Sequence, residues 1–194
     1  MKKLLVGLLL TISLISYGTT KVQKDLEGKL KKLKSGNEDK IGNLNQYFGI
    51  FISDLVILDI LRSGHKKMTY KINSTKVEGD TAVINLDMKA PKLSHYYPEL
   101  RKKIFESIVY QIFYAEPREI EEDEFLNNFY EKKLNSKYLK YSKENINVYL
   151  KKEGNDWLVD EEESKNDDFN EMITLGLLEL EEGNIWSFLE NIEE

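Results

Sequence analysis

The sequence predicts an α+β fold in which a curved antiparallel sheet, made of two β-hairpins, packs against helices. Apolar and polar residues alternate around a glycine turn in residues 70–91, and they do so again in residues 146–160. Apolar residues recur at helical spacing in the stretches before, between and after these two regions. Helices that alternate with hairpins in one domain favour an antiparallel sheet with helices on one face.

Residues 1–18 have the features of a secretory signal peptide. Lys2 and Lys3 supply a positive start, an apolar run follows, and Ser16 and Gly18 place small residues where a signal peptidase reads them. We therefore expect export to the periplasm or cell envelope, with cleavage after Gly18. The alternative is an uncleaved N-terminal membrane anchor.

The composition excludes several classes of function. The chain contains no Cys, which excludes disulfides, thiol nucleophiles, thiolate metal sites and the lipid that bacterial lipoproteins carry on a Cys. Loss of the two signal lysines changes the formal net charge from −6 to −8. Nucleic-acid binding requires a concentrated basic surface, so this acidic balance argues against it.

Residues 19–44 are polar and Lys-rich, and we expect either a helix or a spacer there. Their apolar residues fit one thin helical stripe, made of Val22, Leu26, Leu30 and Leu33. Residues 45–194 are expected to form a single domain with acidic C-terminal helices.

Residues 47–64 are strongly apolar and predict a core helix. The residues at helical spacing are Phe48, Phe51, Ile52, Leu55, Leu58 and Leu61. Asp54 and Asp59 lie in the same stretch, and carboxylates on a buried helix suggest general acid–base chemistry. The alternative is that both face solvent on the flank of the helix.

The first hairpin is predicted from residues 70–91. Gly79 supplies the positive φ of a hairpin turn, and Pro91 ends the second strand because proline cannot donate to the sheet. The apolar face of the second strand is formed by Ala82, Ile84, Leu86 and Met88, whereas Asp87 is expected to face solvent.

An aromatic helix is predicted to begin at Pro98, and a further helix is predicted over residues 118–141. The apolar face of the aromatic helix consists of Leu100, Ile104, Ile108 and Ile112, flanked by Phe105, Val109 and Phe113. Four tyrosines are candidates for a ligand cleft or a partner surface, or alternatively for the core: Tyr96, Tyr97, Tyr110 and Tyr114.

The second hairpin is predicted from the alternation of Ile146, Val148 and Leu150, followed by a turn at Gly154. Trp157 begins the returning strand and is expected to anchor the core. An acidic loop follows, then a helix over residues 169–183, and residues 184–194 could add a last short helix.

Three of these segments resemble the small secreted or lipoprotein domains of bacteria that have an NTF2-like (cystatin-like) fold and unknown function: residues 70–91, 148–161 and 169–180. The resemblance implies a curved sheet whose concave face receives a helix, with Ile84, Leu86, Val148 and Trp157 packed against Phe51 and Leu55. Enzymes of this architecture place an Asp or His with a Tyr in the pocket between sheet and helix. Many relatives carry the lipid-anchoring Cys that this chain lacks.

We expect no catalytic group, metal or cofactor. His65 and His95 lie in polar stretches and are expected to be exposed loop residues, and neither has a second ligand at metal spacing. The chain has no G-x-S-x-G motif and no glycine-rich phosphate loop. The acidic runs at residues 121–124 and 160–164 lack the spacing of a calcium-binding EF-hand loop and are expected to be solvated.

These observations favour an exported envelope protein that is a non-catalytic binding module. Its ligand would be a small apolar molecule, a peptide or another envelope protein. The alternative is a small NTF2-like hydrolase or isomerase that uses a pocket carboxylate with a tyrosine. A third hypothesis is a structural homodimer joined through the polar face of the sheet.

Overall fold

A computed structural model confirms the α+β fold, with a curved four-stranded antiparallel sheet packed on helices. It describes residues 2–35, 44, 48–114, 122–160 and 164–178, without the side chains of residues 2–18, 111, 112, 114, 122 and 164. The elements in chain order are helix α1 (Lys2–Ser35), helix α2 (Leu55–His65), strands β1 (Thr69–Glu78) and β2 (Thr81–Pro91), helices α3 (Tyr97–Tyr114) and α4 (Glu122–Leu134), strands β3 (Tyr141–Glu153) and β4 (Asp156–Val159), and helix α5 (Asp167–Thr174). Single 3-10 turns, Leu93–Tyr96 and Ser164–Asn166, precede α3 and α5. The helix predicted over residues 184–194 lies outside the described residues.

The sheet consists of both predicted hairpins, with strand order β1-β2-β3-β4. Gly79 and Gly154 occupy the two turns with φ of 61° and 59°, as a tight hairpin turn requires. The hairpins meet along β2 and β3, where Ile84 lies opposite Val148. Both side chains are fully buried, so this pair belongs to the concave, core-facing side of the sheet.

Strand β1 contains an irregularity that shapes the other face of the sheet. Lys71 pairs with Asp87 and Ser74 pairs with Asn85, which leaves Asn73 as an extra residue in β1. Such a bulge bends the strand and increases its twist.

Residues 19–35 form the second half of helix α1 and are part of the core. Val22, Leu26 and Leu30 have no exposed surface, although lysines surround them in the sequence. The helix contacts β1 and β4, the two edge strands, so it lies across the concave side of the curved sheet. In the part of the chain that the structure describes, no helix is long and apolar enough to cross a membrane.

The helix predicted over residues 47–64 begins only at Leu55. Gly49 has a φ of 66°, which a right-handed helix does not allow, and Asp54 caps the helix that follows. The predicted packing of Phe51 and Leu55 beneath the sheet is therefore wrong, since these side chains are 66% and 61% exposed. The late start changes which residues face inward, and Phe48, Ile50 and Ile52 are buried just before the helix.

The burial of α1 predicts that Leu26→Ala lowers the free energy of unfolding by about 2–5 kcal/mol. Truncation would leave a cavity between the helix and the sheet, because Leu26 is fully buried. Urea unfolding followed by circular dichroism measures the change. Lys31→Ala on the exposed side of the same helix is the control, with an expected change within about 0.5 kcal/mol. Equal stability of the two variants would contradict the packing of α1.

The burial of Trp157, which is 5% exposed, predicts that Trp157→Ala costs about 3–5 kcal/mol of unfolding free energy. Trp157 lies in the four-residue strand β4 and is the only aromatic residue of that strand. Truncation to alanine would therefore leave a cavity in the core. Thermal melting by circular dichroism tests this, with the exposed Tyr138→Ala as control. A Trp157→Ala variant that melted like the wild-type protein would contradict the position of the second hairpin.

Candidate functional site

Both aspartates proposed for acid–base chemistry have structural partners. The Oδ1 atom of Asp54 accepts hydrogen bonds from the backbone N–H groups of Val56 (2.7 Å) and Ile57 (3.1 Å), which caps α2. Asp59 forms an ion pair with Arg62 one turn later, at 3.2 Å. Each carboxylate thus stabilises helix α2.

The three candidate tyrosines whose side chains the structure describes have different surroundings. Tyr96 lies in the 3-10 turn before α3, and its hydroxyl accepts a hydrogen bond from the backbone of Lys140 at 2.9 Å. The hydroxyl of Tyr97 donates to the carbonyl of Gly176. Tyr110 is exposed and lies about 20 Å from Tyr97 along the helix axis. The side chain of Tyr114 lies outside the described residues.

His65 is buried, so the prediction of an exposed loop residue is wrong for it, whereas His95 is exposed as expected. His65 ends α2 and its Nε2 atom lies 2.6 Å from the carbonyl oxygen of Ile173 in α5. A Cβ atom on the preceding Gly64 would overlap the side chain of Leu175. The ends of α2 and α5 therefore meet in close contact, and the histidine lies inside that contact.

Burial determines the protonation of His65. Desolvation lowers its pKa from 6.5 to about 4, although the hydrogen bond to the Ile173 carbonyl acts in the opposite direction. The imidazole is therefore neutral at neutral pH and donates from Nε2.

Tyr130 is a second buried polar side chain that the sequence did not indicate. It is fully buried on α4, and no described group forms a hydrogen bond with its hydroxyl. Burial, and secondarily the neighbouring Tyr97, raises the pKa of this phenol. The hydroxyl remains protonated, which suits a core position and not a general base.

The outward face of the sheet carries a network of side-chain amides. Asn85 donates to Asn145 and to Asn147, each at 2.9 Å, and Asn73 donates to Asn85 at 3.1 Å. The bulge in β1 brings Asn73 into this network. The network places four amides from three strands on one exposed surface.

Asp87 extends this network and faces solvent, as predicted. It accepts a hydrogen bond from Asn145 at 2.6 Å. Hydrogen bonds from Asn145 and Asn73 lower the pKa of Asp87, with a smaller contribution from nearby Lys71. Asp87 is consequently an anion at neutral pH.

A depression of about 400 Å³ lies next to the amide network on the same part of the sheet. Three lysines and two carboxylates are among the residues that line it: Lys71, Lys89, Lys143, Asp87 and Glu144. Lys89 and Lys143 lie directly opposite each other on β2 and β3, an arrangement of like charges that destabilises a sheet. Lys89 also lies over the ring of Tyr141, with Nζ 4.1 Å from the ring centre. The contact with Tyr141 partly offsets the repulsion between Lys89 and Lys143.

A second groove, of about 540 Å³, lies between α1 and β4. Lys29 lines it and donates a hydrogen bond to the carbonyl of Trp157. Burial lowers the pKa of Lys29, while Asp25 and Asp156 raise it. The groove therefore contains a cation that already has a structural role, since it links α1 to β4.

In the part of the chain that the structure describes, no group of three or more His, Asp or Glu side chains could hold a metal ion.

Comparisons with known proteins give one structural likeness. No family model matches the chain, and no curated protein matches it. A solved structure from Bacillus subtilis, of a protein (ycdA) classed provisionally as a lipoprotein, aligns with a TM-score of 0.43 and 16% sequence identity. The alignment covers 75% of this chain and 43% of that protein, so the chain spans less than half of its length.

The neutral, buried His65 predicts a loss of stability in acid. Its pKa is about 6.5 in the unfolded chain and about 4 in the folded protein, so the unfolded state binds the proton first. The stabilisation is complete above pH 6.5, falls as the pH is lowered towards 4, and amounts to about 3 kcal/mol. His65→Gln keeps a donor for Ile173 but does not titrate, so urea unfolding of this variant should lose less stability between pH 7 and 4.5.

His95→Gln, a substitution at the exposed histidine, is the control for this measurement and should follow the wild-type protein. If His65→Gln and His95→Gln lost stability equally over this pH range, the burial of His65 would be contradicted.

Proposed function

We propose that the protein is exported to the periplasm or cell envelope, that its domain is NTF2-like, and that it is a non-catalytic binding module. The positive start, apolar run and small residues of positions 1–18 support export. A helix that lies across the concave side of a curved sheet, with two hairpins forming that sheet, supports the NTF2-like assignment.

The observation that carries the binding function is the lysine-lined depression on the sheet. Its volume of about 400 Å³ falls within the range of small-molecule sites. Lys89 and Lys143 are placed opposite each other at some cost in stability, in a chain with a formal net charge of −6. A bound anion would relieve the repulsion between them.

The ligand class follows from the groups that line the depression. The three ammonium groups donate hydrogen bonds and outnumber the two carboxylates of the depression, Asp87 and Glu144, and the amide of Asn145 can donate or accept. We therefore propose a small polar ligand that carries a carboxylate or phosphate group. A small apolar ligand would remove these charged groups from water without forming hydrogen bonds to them.

The alternative of a small hydrolase or isomerase requires a carboxylate that is able to act as a base in a pocket. Asp54 caps a helix and Asp59 pairs with Arg62, so both proposed carboxylates have structural partners. The binding module is for this reason the function that the geometry supports better.

Titration of inorganic phosphate into the ¹⁵N-labelled protein tests the site. We expect saturable amide shifts in residues 69–71, 87–89 and 143–145, because these residues line the depression. The double variant Lys89→Gln/Lys143→Gln should lose them, since both opposed charges are removed. Lys137→Gln, at an exposed lysine outside the depression, is the control and should keep the shifts.

Shifts that did not saturate, or that were equal in the double variant and the control, would contradict an anion site. If the sheet face instead joined two copies of the chain, the protein would sediment as a dimer and the double variant would change the dimer dissociation constant.

A further inference from the structure

Strand β3 has an open edge in its first half. It spans thirteen residues, whereas β4 has four and pairs only with residues 150–153 of β3. The first half of β3 pairs with β2 on one side, and no strand of the described chain lies on the other side. Four residues of this half are exposed: Lys143, Glu144, Asn145 and Asn147. An unpaired strand edge is a template for the addition of a further strand.

The backbone groups of alternate residues in β3 point to this open edge. The N–H of Lys152 donates to a carbonyl of the β1–β2 turn at 2.8 Å, so the even-numbered residues of β3 bond towards β2. The carbonyl of Tyr149 accepts from the residue after β4 at 2.9 Å, so the odd-numbered residues bond towards β4. Beyond the end of β4, the residues that direct their N–H and C=O groups to the open edge are therefore Lys143, Asn145 and Asn147.

A buried side chain closes the edge at Tyr149. The amide of Asn166 accepts a hydrogen bond from the N–H of Tyr149 at 2.9 Å and donates one to its carbonyl at 3.2 Å, as a neighbouring strand would. Asn166 is 1% exposed, so this position is not available to a further strand. A strand that docks on β3 can therefore bond to the three odd-numbered residues between Ser142 and Val148, with which no described residue forms a backbone hydrogen bond on that side.

The open edge is complementary to a second copy of itself. Two identical strands that pair antiparallel about a two-fold axis place residue i opposite residue j of the partner, and j opposite i. With the axis at Asn145, Lys143 lies opposite the partner's Asn147, and three pairs of residues bond across the edge. The side-chain oxygen of Asn147 accepts from Asn85 at 2.9 Å and has a second lone pair, which can accept from the ammonium group of the partner's Lys143.

The neighbouring registers are less favourable. An axis at Glu144 places two carboxylates opposite each other, and an axis at Lys143 places two ammonium groups opposite each other, and like charges in these positions destabilise a sheet. An axis at Ile146 places Lys143 opposite the partner's Tyr149, whose backbone groups are already bonded. Of these four registers, the axis at Asn145 alone gives three bonded pairs without opposed like charges.

We propose that two copies of the chain pair antiparallel along their β3 strands, with the two-fold axis at Asn145, and so join their four-stranded sheets into one continuous sheet. The contact uses the edge of the sheet and not its outward face. It is separate from the anion site, although Lys143 belongs to both. Three bonded pairs are a small interface, so the dimer forms and dissociates with protein concentration.

Sedimentation equilibrium in a phosphate-free buffer tests the register through position 147. Asn147→Asp should lower the dimer dissociation constant several-fold, because its carboxylate would lie opposite the partner's Lys143, and Asn147→Lys should raise it several-fold. Both variants lose the same amide, so they differ in the sign of the new charge. Asn135→Asp and Asn135→Lys, at an exposed position outside the sheet, are the matched controls and should leave the constant unchanged.

Asn145→Pro distinguishes pairing along the edge from a contact through the face of the sheet. Proline removes an N–H group that points to the open edge, so each copy keeps its own β2–β3 hydrogen bonds. The dissociation constant should rise about tenfold, because each copy loses a hydrogen bond to its partner. Asn145→Ala, which loses the side-chain amide but keeps the N–H, is the control and should change the constant less. If Asn145→Pro does not fold by circular dichroism, the opposite effects of Asn147→Asp and Asn147→Lys still test the edge.

Three results would overturn the proposal: a protein that is monomeric up to its solubility limit, charge variants at position 147 that change the dissociation constant in the same direction, or a folded Asn145→Pro variant that dimerises like the wild-type protein. The last result would assign the dimer to the face of the sheet. Amide hydrogen exchange of Asn145 in the monomer should be fast, and slow exchange there would assign the open edge to another segment of the same chain.

Discussion

The packing of helix α1 into the concave face of the sheet is the interaction on which the rest of the structure depends. A curved sheet leaves a hollow that must be filled, and three fully buried residues of α1 fill it: Val22, Leu26 and Leu30. Lys29 has to be desolvated for this packing, and its hydrogen bond to the Trp157 carbonyl offsets that cost. Because α1 contacts both edge strands, it holds the two hairpins in one curved sheet.

The ends of α2 and α5 form a second constraint, which positions α3. Gly64 allows Leu175 to approach, and Leu175 itself has a φ of 56°, which is unusual for a side chain of its size. The next residue, Gly176, lies against Ser94 and accepts the hydrogen bond from Tyr97. The same tight turn therefore fixes the start of α3.

Two exposed surfaces, the outward face of the sheet and one side of helix α3, differ in chemistry. The outward face of the sheet carries amides and two opposed lysines, with Asp87 and Glu144 beside them. Helix α3 carries two exposed phenylalanines, Phe105 and Phe113, which form an apolar surface. An acidic chain with a local group of lysines can attract an anion to one place without attracting polyanions over its whole surface.

The sequence by itself determined the two hairpins, because alternation and a turn glycine act between neighbouring residues: Gly79 and Gly154 occupy the turns, and Asp87 faces solvent. Tertiary structure decided where the first core helix begins. Gly49 has a positive φ, so the helix begins only at Leu55 and Phe51 is exposed. It also decided the sites. His65 is buried and hydrogen-bonded to Ile173, 108 residues away. The lysine-lined depression depends on the pairing of β2 and β3 in the register that sets Lys89 opposite Lys143. Such contacts depend on residues distant in the chain, and no local pattern encodes them.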